Sequence, residues 1–216
     1  MPHRVYIVED HPVMREGYSR LLSQEPDFEL CGAAGSAEDA LPAIEQEAPD
    51  LAIIDLQLPG SNGIELIKRL RSLELAVRIL VVSAHEESLY AERALKAGAQ
   101  GYLMKFESAR NVVEASRQVL AGRRYLSESL QSRMMDQWLG GQPTDGETAI
   151  STLSDREIEV FEWIGRGKTT LQIAELLSLS PKTIESHRAN IKRKLNVDKS
   201  PELIQRAVVW VESLID

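Results

Sequence analysis

The sequence predicts an α/β fold, a five-stranded doubly wound parallel sheet, joined to a C-terminal all-α domain of four helices. Three observations support this. Over residues 1–122 short apolar runs alternate five times with stretches of helical spacing, the pattern of strand–helix units that build a parallel sheet covered on both faces. The middle run, Leu51-Ala-Ile-Ile54, is apolar throughout rather than alternating, as a strand buried on both sides should be. After residue 150 only helical spacing remains, opening at the capping box Ser154-Asp-Arg-Glu157.

In order, Arg4 to Glu9 is a strand, and Pro12 to Ser23 is a helix with Val13, Tyr18, Leu21 and Leu22 on its spacing. Phe28 to Ala34 is the second strand. Ser36 caps a helix to about Glu47 that carries Pro42 inside it, where a missing N–H normally breaks a helix. Leu51 to Ile54 is the third strand; it delivers Asp55 and then turns at Pro59-Gly60. A helix from Asn62 to Ser72, a strand from Val77 to Val82 and a helix from Glu86 to Ala97, ended by Gly98, follow. Gly101 to Met104 completes the sheet, and a helix from Ser108 to Ala121 stops at Gly122.

Arg124 to Gly141 has the spacing of an extra helix, with Leu126, Leu130, Met134 and Leu139 on one side, and residues 140–148 read as a flexible linker. Helices from Ser154 to about Gly165, Thr170 to Ser178, Pro181 to Leu195 and Ser200 to Leu214 end the chain. The expected organisation is a domain at 1–122, a helical extension and linker at 123–150, and a second domain at 151–216.

Composition narrows the function classes. At 216 residues, 43% hydrophobic and 27% charged, the chain can bury a real core. Its apolar runs are too short to span a membrane, and Met1-Pro2-His3-Arg4 leads straight into a strand without a secretory apolar region, so a cytoplasmic protein with no membrane partner is expected. The single cysteine, Cys31, excludes an internal disulfide and reads as a core filler. The net charge of -8 is uneven: residues 1–125 hold 14 Lys and Arg against 19 Asp and Glu, 126–150 hold 1 against 4, and 151–216 hold 10 of each. Within 181–199, Lys182, Arg188, Lys192, Arg193, Lys194 and Lys199 face only Glu185 and Asp198, a stripe suited to a polyanion.

The strand ends converge chemically. Glu9-Asp10, Asp55, Ser83 and Met104-Lys105 close four strands, and in a parallel sheet all of these ends lie on one rim, where ligands bind. Three carboxylates repel one another unless a cation sits among them, and an oxygen-seeking Mg²⁺ with coordination left over for phosphate suits them. Asp55, from the central strand, is the candidate to accept a phosphoryl group as an acyl phosphate, with Lys105 and the metal neutralising phosphoryl oxygens and Ser83 donating a hydrogen bond. No nucleotide-cradling Gly-rich loop occurs.

Glu9-Asp10, Asp55 with Pro59-Gly60, Ser83-Ala84 and Gly101-Tyr102-Leu103-Met104-Lys105 together resemble the receiver domain of bacterial response regulators, over roughly residues 3–122. The resemblance implies that Asp55 is the phospho-acceptor, Glu9 and Asp10 are metal ligands with a contact from the Gln57 backbone, Ser83 and Lys105 read the phosphoryl group, and Tyr102 is the aromatic switch. Phe106 departs from it, standing where many receivers have proline, although regulators of the NarL/FixJ class often lack that proline too; the departure puts the cis peptide expected there in question. Gln57 and His85 flank the site and are candidates to tune phosphoryl lifetime.

In 181–195, Ile184, His187, Ile191 and Leu195 form an inward stripe, while Lys182, Glu185, Ser186, Ala189 and Arg193 lie opposite. With the short helix and turn before it, this suits a recognition helix entering a major groove. Leu153-Ser-Asp-Arg-Glu-Ile-Glu-Val160, Ile173-Ala174, Ser180-Pro-Lys-Thr-Ile184, His187-Arg188, Asn190-Ile191 and Lys194-Leu195 are similar to a LuxR-type helix-turn-helix over about 151–214. The DNA-facing set is then Lys182, Thr183, Glu185, Ser186, Arg188, Ala189, Asn190, Lys192, Arg193 and Lys194; Lys182, Thr183, Arg188, Lys192 and Lys194 are the candidates for phosphate contacts, and His187 packs inward. Glu185 departs from the lysine of many relatives: it can accept from cytosine N4, pair with Lys182, or weaken general DNA affinity. Thr169-Thr170-Leu171 replaces a more polar stretch, a change expected to alter packing rather than function.

The resulting expectation is a non-enzymatic response regulator: a sensor histidine kinase phosphorylates Asp55, and dimerisation and binding to promoter double-stranded DNA change in response. Two alternatives stay open at this point. One is an Mg²⁺-dependent phosphatase or phosphotransferase for small molecules; the other is a phosphorylation-independent transcription factor whose first domain only dimerises.

Overall fold

A computed structural model describes residues 1–85, 87–105, 109–138, 150 and 152–214. They form two compact units, Met1–Ser132 and Arg133–Asp216, each taken by itself below. The first has β1 (His3–Val8), α1 (Pro12–Ser23), β2 (Phe28–Ala34), α2 (Ala37–Glu47), β3 (Leu51–Ile54), α3 (Gly63–Ser72), β4 (Arg78–Ser83), α4 (Glu87–Ala97), β5 (Gly101–Met104) and α5 (Ala109–Leu120). All strands are parallel, in the order β2-β1-β3-β4-β5.

Alternation along the strands makes two buried faces. Val5, Ile7, Leu51, Ile53, Leu80, Val82 and Leu103 share one core with Tyr18 and Leu22 of α1 and Val112, Ala115 and Val119 of α5. The intervening Tyr6, Val8, Ala52, Ile54, Ile79, Val81 and Tyr102 are also buried, which is why the middle of each central strand carries no charged residue. Helix caps follow the sequence: Ser36 accepts from the Asp39 N–H and Asn62 from the Ile64 N–H. Pro42, which lacks the N–H that would reach the Glu38 carbonyl, lies inside α2 at an exposed position, as does Glu38 four residues before it. Cys31, expected in the core, is only half-buried on the edge strand, its thiol donating to the Val5 carbonyl.

After α5 the chain departs from the expected helix at Arg124. Tyr125 pairs with Gly101 as an isolated parallel bridge, its carbonyl accepting from the Tyr102 N–H (2.9 Å) and its N–H donating to the Gln100 carbonyl (3.2 Å). Helix α6 (Glu128–Trp138) starts only afterwards, with the Ser127 hydroxyl accepting from the Leu130 N–H. The exposed edge of β5 claims the backbone of residue 125, and a residue that joins a sheet edge cannot also begin a helix. Leu139 and the linker expected at 140–148 lie outside the described residues.

The second unit carries α7 (Asp155–Gly165), α8 (Thr170–Leu176), α9 (Pro181–Lys194) and α10 (Ser200–Glu212). Capping boxes Ser154/Glu157 and Thr169/Gln172 start α7 and α8, and Ser180 caps α9 with Pro181 in its first turn. Ile158, Phe161, Ile164, Ile173, Ile184, Ile191, Leu203 and Ala207 are its buried core. No described helix is long and apolar enough to cross a membrane.

Two glycines give opposite expectations. A Cβ on Gly63 would lie 2.3 Å from the Asp55 carbonyl oxygen and 2.7 Å from Leu56 Cα, so α3 can approach the end of β3 only without a side chain. Gly63→Ala should lower stability in urea unfolding by about 1–3 kcal/mol. Gly17, exposed within α1 with nothing near its missing Cβ, should gain about 0.5–1 kcal/mol as alanine.

Candidate functional site

Sheet hydrogen bonds continue one residue past the strands and fix the acids at the rim. The Glu9 N–H donates to the Ala34 carbonyl (3.1 Å), the Asp55 N–H to the Val8 carbonyl (2.8 Å), and the Lys105 N–H to the Ser83 carbonyl (2.8 Å). Adjacent strand ends therefore present Glu9, Asp55, Ser83 and Lys105 together, as the sequence led us to expect. Arg15 of α1, which carried no signal in the sequence, donates to the Glu9 carbonyl (2.7 Å) and holds the turn leading into Asp10.

At the centre is a buried lysine. Lys105 Nζ lies 2.9 Å from Asp55 Oδ2 and 2.7 Å from Glu9 Oε2, with both acids almost fully enclosed. Burial opposes the ammonium charge, but Asp55 and Glu9 outweigh it and hold the Lys105 pKa above its usual value. Burial, then the negative charge of Asp55, pushes the Glu9 carboxyl up despite Lys105. Burial pushes the Tyr18 phenol up as well, with Glu9 and Asp55 adding to the effect.

Asp55 Oδ1 is buried and makes no hydrogen bond among the described residues. Glu9, Asp10, His11 and Asp55 each offer a ligand atom, all within 4.8 Å of one another. A donor set dominated by carboxylate oxygens, of which Glu9 Oε2, Asp10 Oδ1 and Asp55 Oδ1 are buried and without a hydrogen bond among the described residues, fits Mg²⁺. His11 was not among the expected residues; its Nδ1 lies 2.7 Å from Asp10 Oδ1 and 3.1 Å from Glu9 Oε1. Gln57 is half-buried in the loop after Asp55.

The neighbouring loop is tied to the far side of β5. Ser83 is fully buried, and its hydroxyl accepts from the His85 N–H (3.3 Å). His85 stacks on Tyr90, and its carbonyl accepts from the Tyr102 hydroxyl (2.8 Å), so Tyr102 points inward. Glu87, in the first turn of α4, accepts from both the Ser127 N–H (3.2 Å) and the Ser127 hydroxyl at the start of α6. Phe106 lies outside the described residues, and no described peptide bond is cis.

On α9, Ile184, Ile191 and Leu195 are buried and His187 is half-buried, whereas Lys182, Glu185, Ser186, Ala189 and Arg193 are exposed. Thr183, Arg188, Asn190 and Lys192 are half-buried, and Arg193 donates to the Asn190 side chain (3.1 Å). Lys194 makes an ion pair with Glu157 (2.6 Å) inside the domain; burial raises the Glu157 pKa, but Lys194 and the Ser154 cap bring it below the usual range. Glu185 does not pair with Lys182. It accepts from the Thr170 hydroxyl (2.6 Å), and Arg188 Nε stands 4.0 Å away. In the Thr169-Thr170-Leu171 stretch, Thr169 caps α8, Thr170 binds Glu185 and Leu171 is exposed.

Comparison with known proteins agrees with this architecture. The family model for the response regulator receiver domain matches residues 5–117, and that for bacterial regulatory proteins of the luxR family matches 151–207. The chain belongs to the two-component response regulators of the NarL/FixJ class, which are regulatory proteins rather than classical enzymes. It is 34% identical over 207 residues to the virulence factors putative positive transcription regulator BvgA of Bordetella pertussis, covering 96% of this chain and 97% of that protein. It is 37% identical to the transcriptional activator protein ExaE of Pseudomonas putida, covering 94% and 95%. A LuxR-family two-component response regulator from Aurantimonas sp. SI85-9A1 superposes with a TM-score of 0.60 at 34% identity, covering 64% of this chain and 99% of that one.

The buried charges give a pH-dependent outcome. In metal-free buffer, Lys105→Met leaves Glu9 and Asp55 uncompensated and should cost about 3–5 kcal/mol at neutral pH. Because the folded Glu9 pKa is raised, protonation favours the folded state, so the loss should shrink as pH falls through that pKa. Chemical denaturation across pH measures both the loss and its recovery.

Proposed function

We propose that this chain is a phosphorylation-controlled transcriptional regulator whose Asp55 accepts a phosphoryl group from a sensor histidine kinase or a small acyl phosphate. The observation that carries the reading is Asp55 itself: a carboxylate at the end of the central strand, buried, with Oδ2 on Lys105 and Oδ1 without a hydrogen bond among the described residues. An Asp55 oxygen attacks phosphorus, the bond from phosphorus to the donor breaks, and its electron pair leaves on the donor's nitrogen or oxygen. Glu9, Asp10, Asp55 and the Gln57 backbone are the proposed holders of Mg²⁺, which supplies positive charge to the phosphoryl oxygens when bound.

Lys105 exchanges its contact with Asp55 for a phosphoryl oxygen, and the Ser83 hydroxyl turns to donate to another. Ser83 bonds the His85 N–H and Tyr102 bonds the His85 carbonyl, so this shift reaches Tyr102, and Glu87 extends it to Ser127 and α6. The altered receiver favours a homodimer, and two copies of α9 read the two half-sites of a promoter. Lys182, Thr183, Arg188 and Lys192 contact phosphates, while Glu185, Ser186, Ala189, Asn190 and Arg193 face the groove; Lys194 contacts phosphate only by leaving Glu157. The names of BvgA and ExaE, a positive transcription regulator and a transcriptional activator, support the regulatory output. The proposed location is the cytoplasm.

Incubation with an acyl phosphate and Mg²⁺ should place one acid-resistant, base-labile phosphate on wild-type protein and none on Asp55→Asn. Many turnovers of a small phosphorylated substrate, or equal labelling of the variant, would contradict the assignment. On DNA, Lys182→Ala should flatten the plot of log affinity against log salt by roughly 0.9 and keep the preferred sequence.

A further inference from the structure

Thr170 and Glu185, which the sequence marks as separate departures from the family pattern, are in direct contact: the Thr170 hydroxyl donates to Glu185 Oε1 at 2.6 Å. From this we infer that they act as one base-reading unit, in which Thr170 orients the Glu185 carboxylate so that Oε2 accepts the N4 amino group of a cytosine in the major groove. The inference deepens the DNA-binding reading above and rests on it.

Glu185 lies on the outward face of α9, one turn beyond Pro181, with its side chain 61% exposed between exposed Lys182, Ser186 and Ala189. Residues in this part of a recognition helix reach base edges. An unrestrained glutamate there would sample several rotamers and meet phosphates it repels. Thr170 removes that freedom from a fixed point, since the cap at Thr169 and its reciprocal bond with Gln172 lock the start of α8. Both neighbours of the carboxylate engage Oε1, the Thr170 hydroxyl by hydrogen bond and Arg188 Nε at 4.0 Å. Oε2 makes no hydrogen bond among the described residues and stays available.

The base follows from the donor pattern. A carboxylate only accepts, guanine and thymine present acceptors in the major groove, and adenine sets its acceptor N7 beside its amino group; cytosine offers N4–H₂. Glu185 is thereby a specificity determinant, and Thr170 is a positioning residue that acts through it.

The test is selection of duplexes from a randomised pool by the full chain treated with acyl phosphate and Mg²⁺. Wild type should enrich cytosine at one position of each half-site. Thr170→Val should reduce that enrichment by about five- to tenfold while keeping low-salt affinity for unselected DNA, and Thr170→Ser should restore it. Glu185→Gln should move the preference towards adenine, whose N6 and N7 pair with an amide. Circular dichroism melting checks that each variant folds; should Thr170→Val unfold, Glu185→Gln and Thr170→Ser decide the matter. A Thr170→Val or Glu185→Gln motif identical to wild type would overturn this inference alone. Failure of wild type to enrich any sequence would overturn the DNA-binding reading as well.

Discussion

The receiver rim depends on one buried cation. Three carboxylates brought to neighbouring strand ends would repel each other at short range, and the energy of like charges there far exceeds its value in water. Lys105, ion-paired with both Glu9 and Asp55, offsets that repulsion from the end of the next strand but one. The parallel sheet makes the arrangement possible, because only parallel strands deliver all of their ends to one side. The compensation is incomplete. Glu9 remains harder to ionise than a free glutamate, and Asp55 Oδ1 is left without a hydrogen bond among the described residues.

A site left short of positive charge and hydrogen-bond donors responds strongly to a new group. In the proposed cycle the phosphoryl group draws Lys105 and Ser83 towards itself, which disturbs a loop whose other contacts run outward. The His85 backbone joins Ser83 to Tyr102; the strand carrying Tyr102 holds Tyr125; and Glu87 holds Ser127. The backbone at 125–127 thus connects β5 and α4 to the first turn of α6 through short, directional hydrogen bonds. A rearrangement of a few tenths of an ångström in such a set switches partners rather than stretching bonds, because hydrogen bonds weaken steeply with geometry.

The sheet was legible in the sequence because three of its strands close on an apolar stretch followed by a residue of distinct chemistry: Asp55 after Ile54, Lys105 after Met104, Glu9 after Val8. Capping residues marked most helix starts. The bridge at Tyr125 was not legible, since a single residue that joins a sheet edge has no periodicity, and its helical spacing ran on into α6. Arg15 and Glu87 were missed for a related reason: Arg15 acts through a backbone carbonyl and Glu87 through Ser127, 40 positions away. Thr170 and Glu185 were each noticed, but their separation of 15 positions along the chain concealed their contact. Spacing along a chain reports which side of one helix a residue occupies and says nothing of what a second helix places beside it.

Control by Asp55 requires that chemistry at the rim of one domain alter what the other binds. The most direct measurement is the DNA affinity and oligomeric state of the full chain, with and without a beryllofluoride phosphoryl mimic in the presence of Mg²⁺, for wild type and for Asp55→Asn. Tighter binding to selected DNA together with dimer formation, in wild type only, is the expected result. Affinity and oligomeric state unchanged by the mimic in wild type, or changed equally in Asp55→Asn, would contradict it.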